Sequence, residues 1–226
     1  MPLWKNSRAV IQRWQRMSSL QLLILGASGH GKVVADCAVV AVGWAEIRFF
    51  DDCWPGLNTC GPWPVVGTSE AFLSEAGDGG QAFVAVGNAF TRLFWLRRLK
   101  ADEIPLATVI HPHSVISPHA LIGEGSLVVA GAVVNIGSEL GLGCIINTGA
   151  TVDHDCVLGD GVHVCPGAHL AGDVHVGESS WLGIGCAVRQ GVRIGAGVTV
   201  GAGAVVVANV PDGLTVVGVP AKSIEK

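Results

Sequence analysis

From Val115 to Val210 the chain divides into sixteen consecutive six-residue blocks. Each carries an aliphatic residue at its second position, from Ile116, Ile122 and Val128 through to Ile194, Val200 and Val206. The sixth position holds only Ala, Ser, Cys or Val. An internal period this long settles the architecture of almost half the chain. A helix repeats every 3.6 residues and a strand every two. A period of six with one obligatory aliphatic fits a short strand followed by a turn, three times per coil. Each strand sends one aliphatic inward, and the small sixth residue occupies the tight space beside it. Gly recurs at positions three and five (Gly123, Gly125, Gly141, Gly143, Gly195, Gly197), where the chain must bend. Sixteen blocks make about five coils, stacked at the ordinary strand spacing of about 4.8 Å.

At 226 residues the chain holds two small domains with cores of their own. A net charge of −4 gives no reason to expect a nucleic-acid partner. The longest apolar stretches are broken by Gly and polar residues, so no membrane span is expected. Seven Cys do not read as a disulfide framework. Cys144, Cys156 and Cys186 fall at the small sixth position, a packing role. Cys165 falls at a third position and is expected to face outward. A reducing cytoplasm is the expected setting. Residues 1–19 stand apart: Lys5, Arg8, Arg13 and Arg16 occur with Trp4 and Trp14, and no acidic residue precedes Asp36. This extension reads either as an amphipathic surface helix or as a plain leader to the ordered domain. It lacks the apolar core of a secretory signal.

The first domain is expected over residues 20–110. Leu20–Leu25 reads as a buried strand, Gly26-Ala27-Ser28-Gly29-His30-Gly31 as a Gly-rich turn, and the residues from Lys32 as a helix. Strand, Gly-rich turn and helix is the arrangement that cradles phosphates, because a helix start offers unpaired N–H groups and partial positive charge. A second strand ends at Asp51-Asp52 and a third, Ala82–Val86, at Gly87-Asn88. A helix follows from about Ala89 to Lys100, with Arg92, Arg97 and Arg98 on its outer side, and Thr108–Ile110 reads as the last strand before the coil. Ligands of such sheets bind beyond the carboxyl ends of the strands, where the Gly turn, Asp51-Asp52 and Gly87-Asn88 all lie. The chain contains no Tyr, so the Tyr–Lys pair of short-chain dehydrogenases and epimerases is excluded. A nucleotide site without nicotinamide fits better.

Three features coincide: the strand–GASGHG–helix start, Asp-Asp after the second strand, and a C-terminal hexapeptide coil. With them stand Asn147-Thr148, Val152-Asp153-His154-Asp155-Cys156, His163, Trp181-Leu182-Gly183-Ile184-Gly185 and Val217-Gly218-Val219-Pro220-Ala221-Lys222. The set, over roughly residues 20–224, resembles the bacterial nucleotide-sugar N-acetyltransferases, in a family that includes sialic acid O-acetyltransferases. The resemblance implies a small Rossmann-like parallel α/β domain (20–110), a left-handed parallel β-helix (111–210) and a C-terminal tail (211–226). It also implies a homotrimer with acetyl-CoA lying between neighbouring coils, and no metal. By motif, Ser28, Gly29 and His30 would contact the nucleotide or its diphosphate, Asp51 and Asp52 the base and ribose region, and Gly87 and Asn88 the same site. His154 matches the general base and Asp155 its partner. His163 matches a histidine near the acetyl thioester, and Gly183, Ile184 and Ala202 fall where the chain meets the CoA arm.

The residues suit that chemistry. An amine attacking a thioester must lose a proton, and a His near neutral pKa can take it. An adjacent carboxylate can orient the ring and stabilise its protonated form. Asp153 and Asp155 both flank His154, and sequence alone does not exclude Asp153. A developing oxyanion needs donors, for which His163 or a main-chain N–H is a candidate. His163, His169 and His175 are six apart, so they lie on three successive faces, which argues against a zinc site built from them. The expected reaction is acetylation of a nucleotide-linked 4-amino-4,6-dideoxy sugar, UDP-linked first and GDP- or dTDP-linked as alternatives, feeding surface-glycan, lipopolysaccharide or O-antigen assembly. Acetylation of a hydroxyl, as on sialic acid, and a non-catalytic nucleotide-sugar-binding scaffold remain the competing readings.

Overall fold

The computed structural model describes residues 20–41 and 43–224. The basic extension of residues 1–19 lies outside the described residues. The first sheet contains β1 (Leu20–Leu25), β2 (Trp44–Phe50), β3 (Thr59–Cys60), β4 (Trp63–Gly67) and β5 (Gln81–Val84), in the order β3-β4-β2-β1-β5. All pairs are parallel except that of the two-residue edge strand β3. Leu22, Leu23 and Ile24 of the central strand are fully buried, as a parallel strand covered on both faces requires. Helices α1 (Gly29–Val40) and α2 (Ser69–Gly77) belong to the same α/β part. The order places β2 and β5 on opposite sides of β1. The winding therefore reverses there, and the carboxyl ends of β1 and β5 open the crevice in which such sheets take ligands. Sequence alone does not predict β3, β4 and α2, because that stretch is short-ranged and punctuated by Gly and Pro.

The next sixteen strands are two residues each, from β7 (Val115–Ile116) to β22 (Val205–Val206), spaced every six residues as the repeat demands. They stack in parallel with a register of eighteen residues, such as Val115↔Val133↔Thr151. Three flat sheets result: a first face starting at β7, a second at β8 (Leu121–Ile122), and a third containing β9 (Leu127–Val128). The second-position aliphatics and sixth-position small residues form one continuous core, and each buried Val, Leu or Ile contributes about 1.5–3 kcal/mol. Buried serines at position six also satisfy backbone. Ser138 Oγ donates to Asp153 O at 2.6 Å and accepts from Cys156 N at 3.2 Å, while Ser180 Oγ spans Gly195 O and Val198 N on the next rung in the same way. Position five takes positive φ in every block from Gly125 to Gly203, with Gly at most of them.

Four details differ from the sequence reading. Val109–Ile110 (β6) pairs with β9 in the eighteen-residue register, so it is the first strand of the coil rather than the last of the α/β part. Ile110 and Ser114 obey the block rule. The coil also continues past residue 210: β23 (Thr215–Val217) extends the third face, and β24 (Lys222–Ile224) folds back antiparallel on it. Contacts divide the chain into two units. The first runs through Ala85 and takes in Leu99–Ala107, and the second comprises Val86–Arg98 and everything from Thr108. The first turns of helix α3 (Ala89–Ala101) thus pack with the coil, because Leu93 and Leu96 lie against the bare glycine corners Gly161 and Gly143. Cys165 is buried, not outward-facing. Burial followed by the neighbouring Cys186 pushes its thiol up to about 12, against a smaller opposing effect of Trp181 on the next rung.

Candidate active site

The corner between the first and second faces carries Asp153-His154-Asp155, following β13 (Thr151–Val152). Asp153 Oδ1 accepts from the His154 backbone N–H and from Asn135 Nδ2, each at 2.8 Å. Its role is thus to shape the turn. Asp155 Oδ2 lies 2.8 Å from His154 Nδ1. A carboxylate only accepts, so Nδ1 carries the proton and Nε2 presents its lone pair. Of the two flanking carboxylates, the geometry pairs Asp155 with the ring. Asp155 sits at position five with φ 58°, in the left-handed region that glycine occupies on most rungs. Asp173 and Ser179 share that conformation at the same block position.

Eighteen residues on, Gly172 and Asp173 occupy the same corner one rung away. A Cβ on Gly172 would collide with Nε2 and Cε1 of His154, so the missing side chain makes the room for the ring. Asp173 repeats the left-handed conformation at φ 56°, and its N–H donates to His154 O at 2.9 Å. The hydrogen bond that His154 donates to Asp155 raises the His154 pKa above its ordinary value against the opposing effect of burial, and the negative charges of Asp153, Asp155 and Asp173 act in the same sense. The imidazole side chain is 55 % exposed. It is a strengthened base open to solvent.

His163 lies on the third face between Ile145 and Trp181. Asn147 Nδ2 is 3.2 Å from its Nε2 and the Trp181 ring stands edge-on at 6.4 Å. The Asn147 amide is oriented by Thr148 N–H, which donates to Oδ1 at 2.8 Å. Ile184 and Ala202 are exposed at one corner, between the third and first faces, one rung apart. Gly183 is buried, and a Cβ there would meet Val200 O and Ala202 N, so coil packing alone accounts for that glycine. The His154–Asp155 pair and the Ile184–Ala202 corner therefore occupy different edges of the first face, and one chain does not bring them to a common corner. His163, His169 and His175 fall on three different sheets, and among the described residues no group of His, Cys, Asp and Glu converges on a metal.

In the first unit, Gly26 takes φ 105° at the tight turn after β1. A Cβ on Gly31 would collide with Gly26 O, whereas one on Gly29 would meet open space. Ser28 and Gly29 are exposed and His30 is half-buried at the start of α1. Asp51 Oδ2 accepts from Ala27 N at 2.9 Å and Oδ1 from Cys53 N at 3.0 Å. Burial raises the Asp51 pKa, but those backbone donors outweigh it and hold the carboxyl below its usual range. Asp52 Oδ1 accepts from Ser69 N at 2.8 Å, at the start of α2. Asp51 thus supports the backbone around the Gly turn, and Asp52 the backbone at the start of α2. In the second unit Gly87 is exposed, and Asn88 caps α3 through Thr91 N at 3.0 Å.

Sequence reasoning missed Gly172, Asp173 and Arg92. The first two were readable, since eighteen residues from His154 and Asp155 is one full rung. Arg92, expected on the outer side of its helix, is instead 1 % exposed. Its guanidinium donates to four carbonyl oxygens: Gly143 at 2.9 Å, Gly161 at 2.7 Å, Val86 at 2.8 Å and Gly87 at 3.0 Å. Burial pulls it down to about 10, so it stays protonated at neutral pH. Arg97 and Arg98 are exposed as expected, Arg97 pairing with Glu178 at 2.7 Å.

Residues 21–99 match the PglD N-terminal domain, and residues 173–208 match the bacterial transferase hexapeptide repeat. Among solved structures, the acetyltransferase domain of PglB from Neisseria gonorrhoeae is 45 % identical, covering 90 % of this chain and 99 % of that one, with a TM-score of 0.86. The same domain has been solved in complex with acetyl coenzyme A. PerB from Caulobacter crescentus, in complex with CoA and GDP-perosamine, is 40 % identical over 91 % of this chain and 97 % of that one, with a TM-score of 0.85. WeeI from Acinetobacter baumannii is 30 % identical, covering 91 % and 100 % of the two chains, at a TM-score of 0.80. A search of curated proteins gave no match. These likenesses establish the fold class as a Rossmann-like α/β part joined to a left-handed β-helix.

Proposed function

This chain belongs to the bacterial sugar N-acetyltransferases that join a PglD N-terminal domain to a hexapeptide coil, and from that premise we propose that it acetylates the 4-amino group of a nucleotide-linked 4-amino-4,6-dideoxy sugar. It is an acetyl-CoA-dependent N-acetyltransferase. The observation that carries the finer reading is the His154–Asp155 pair, a strengthened imidazole with Nε2 free of the carboxylate. His154 Nε2 takes the proton from the amine as its nitrogen bonds to the acyl carbon. Asp155 holds the ring by Nδ1 and stabilises the imidazolium that results. Acetyl-CoA supplies the activated acyl group and leaves as the thiol. Ile184, Ala202 and His163 suit its arm: an exposed apolar corner and a histidine held by Asn147 lie on adjoining parts of the coil. A UDP- or GDP-linked acceptor fits, the second because PerB binds GDP-perosamine. Among the described residues no helix is long and apolar enough to cross a membrane. The product is destined for surface-glycan assembly.

The base and the proposed CoA corner lie at different edges of the first face, so a complete site needs two chains. We therefore read the working enzyme as a trimer in which each chain offers one corner to each neighbour. Light scattering on the eluted protein is expected to give about three times the 23.2 kDa chain mass. A monomer that turns over at full rate would sink this arrangement.

A thiol-release assay with acetyl-CoA and a panel of UDP-, GDP- and dTDP-linked 4-amino sugars tests the reaction. Turnover with one of them supports it. Acetylation of hydroxyl acceptors alone would replace it. The nucleotide site has its own test. Gly31→Ala is expected to lower stability by about 1–3 kcal/mol, because the added methyl overpacks the turn. Gly29→Ala meets no atoms and leaves stability within about 1 kcal/mol, yet weakens nucleotide-sugar binding, because only a bare backbone there admits the diphosphate. Unchanged affinity in Gly29→Ala would remove the Gly turn from the site.

A further inference from the structure

The Arg92 guanidinium is surrounded by carbonyl oxygens and has no carboxylate among its bonded partners. A buried charge met only by neutral dipoles is a costly way to pack a helix, since apolar side chains of similar volume do so as well or better. Leu93 and Leu96 already serve that purpose on the same helix. The division of its bonds is informative. Two go to coil turns, Gly143 and Gly161, and two go to the strand-to-helix loop, Val86 and Gly87. The planar fork of Arg reaches both sets at once, which neither Lys nor Met can do. Without it, the buried Gly143 and Gly161 carbonyls and those of the loop lose a charged donor. The helix-capping contacts at Asn88 remain to the loop.

We propose that Arg92 is a positioning residue for the acceptor substrate, fixing the Val86–Asn88 loop against the coil turns so that Gly87 and Asn88 meet the nucleotide sugar in one set place. This rests on the reading of Gly87 and Asn88 as acceptor-site residues. Arg92 touches no reacting atom. It acts on binding, and its loss falls on KM for the nucleotide sugar more than on kcat or on acetyl-CoA affinity.

The test uses the full-length enzyme with Arg92→Met and Arg92→Lys, and Arg97→Ala as a comparison that removes only the exposed ion pairs of the same helix. Amide hydrogen exchange, acetyl-CoA affinity and steady-state kinetics are read for each. In Arg92→Met, exchange at Gly87–Thr91 is expected to quicken at least tenfold and nucleotide-sugar KM to rise at least tenfold, with acetyl-CoA affinity within twofold. Arg92→Lys is expected to fall between Met and wild type, and Arg97→Ala to match wild type. Unchanged exchange at Gly87–Thr91 in a folded Arg92→Met would overturn the proposal, as would parallel losses in KM, kcat and acetyl-CoA affinity. Should Arg92→Met fail to fold, Arg92→Lys decides by the same readouts. If quickened exchange came with unchanged KM, the loop would be held by Arg92 but would not serve the acceptor, which also overturns it. A wild-type enzyme inactive on every amino sugar would instead sink the reading of the reaction, while the exchange data would still judge the role of Arg92 in the loop.

Discussion

His154→Ala is expected to lower kcat for amino-sugar acetylation by roughly 10²–10⁴-fold, the ordinary worth of a positioned proton acceptor. Binding should survive. The ring is exposed and packs over Gly172 rather than into the coil core, so its removal opens no cavity. Thiol release at saturating substrates, with acetyl-CoA affinity measured beside it, separates the two effects. A loss below threefold would show that the proton leaves by another route. A collapse of both rate and affinity would mean that the side chain shapes the site rather than taking the proton.

Asp155→Asn is expected to cost on the order of 10² in rate, less than a buried triad aspartate because this pair faces solvent. It should also move the pH profile. The base must be unprotonated, so activity rises with pH through its pKa. The hydrogen bond to Asp155 raises the wild-type His154 pKa, which moves the rising limb upward from where an ordinary histidine would put it. Removing that carboxylate should shift the limb to lower pH while the plateau falls. The sign for stability is opposite. A folded-state pKa raised above the unfolded one favours folding while the ring is protonated, and that contribution fades as pH climbs through the raised value. A limb that stays put in Asp155→Asn would leave Asp155 without influence on the base. Asp155→Gly offers a second readout: relief of the left-handed backbone should raise stability by up to about 1 kcal/mol while activity falls.

The coil and its corners were legible because a strict period repeats the same physical demand sixteen times. The same arithmetic exposes Gly172 and Asp173, eighteen residues beyond the histidine and its partner. The start at Val109 was legible too, but the preceding helix drew the boundary to the wrong side of it. Strand–Gly turn–helix identified the crevice of the α/β part. It did not reveal that Asp51 and Asp52 spend their oxygens on backbone N–H groups, because that depends on loop geometry. Arg92 left no local trace. Apolar residues are spread around α3, so its polar face cannot be read from spacing. What buries the charge is a pair of glycine corners 51 and 69 residues away. Cys165 was misread for a similar reason: third positions on this face are also buried at Val129 and Gly183, which the block rule alone does not show.

The eighteen-residue register makes the coil a ruler with fixed graduations. Every corner residue recurs one step, about 4.8 Å, above its predecessor, so His154, Gly172, Gln190 and Ala208 mark four successive graduations along one edge. Distances along that edge change only in whole steps, by gain or loss of eighteen residues. A chain lengthened by one rung beyond Gln190 would keep every contact of the histidine and lift the terminal hairpin by a single graduation. The separation between any two corner residues of that edge is thereby set by counting, independently of which side chains stand at either end.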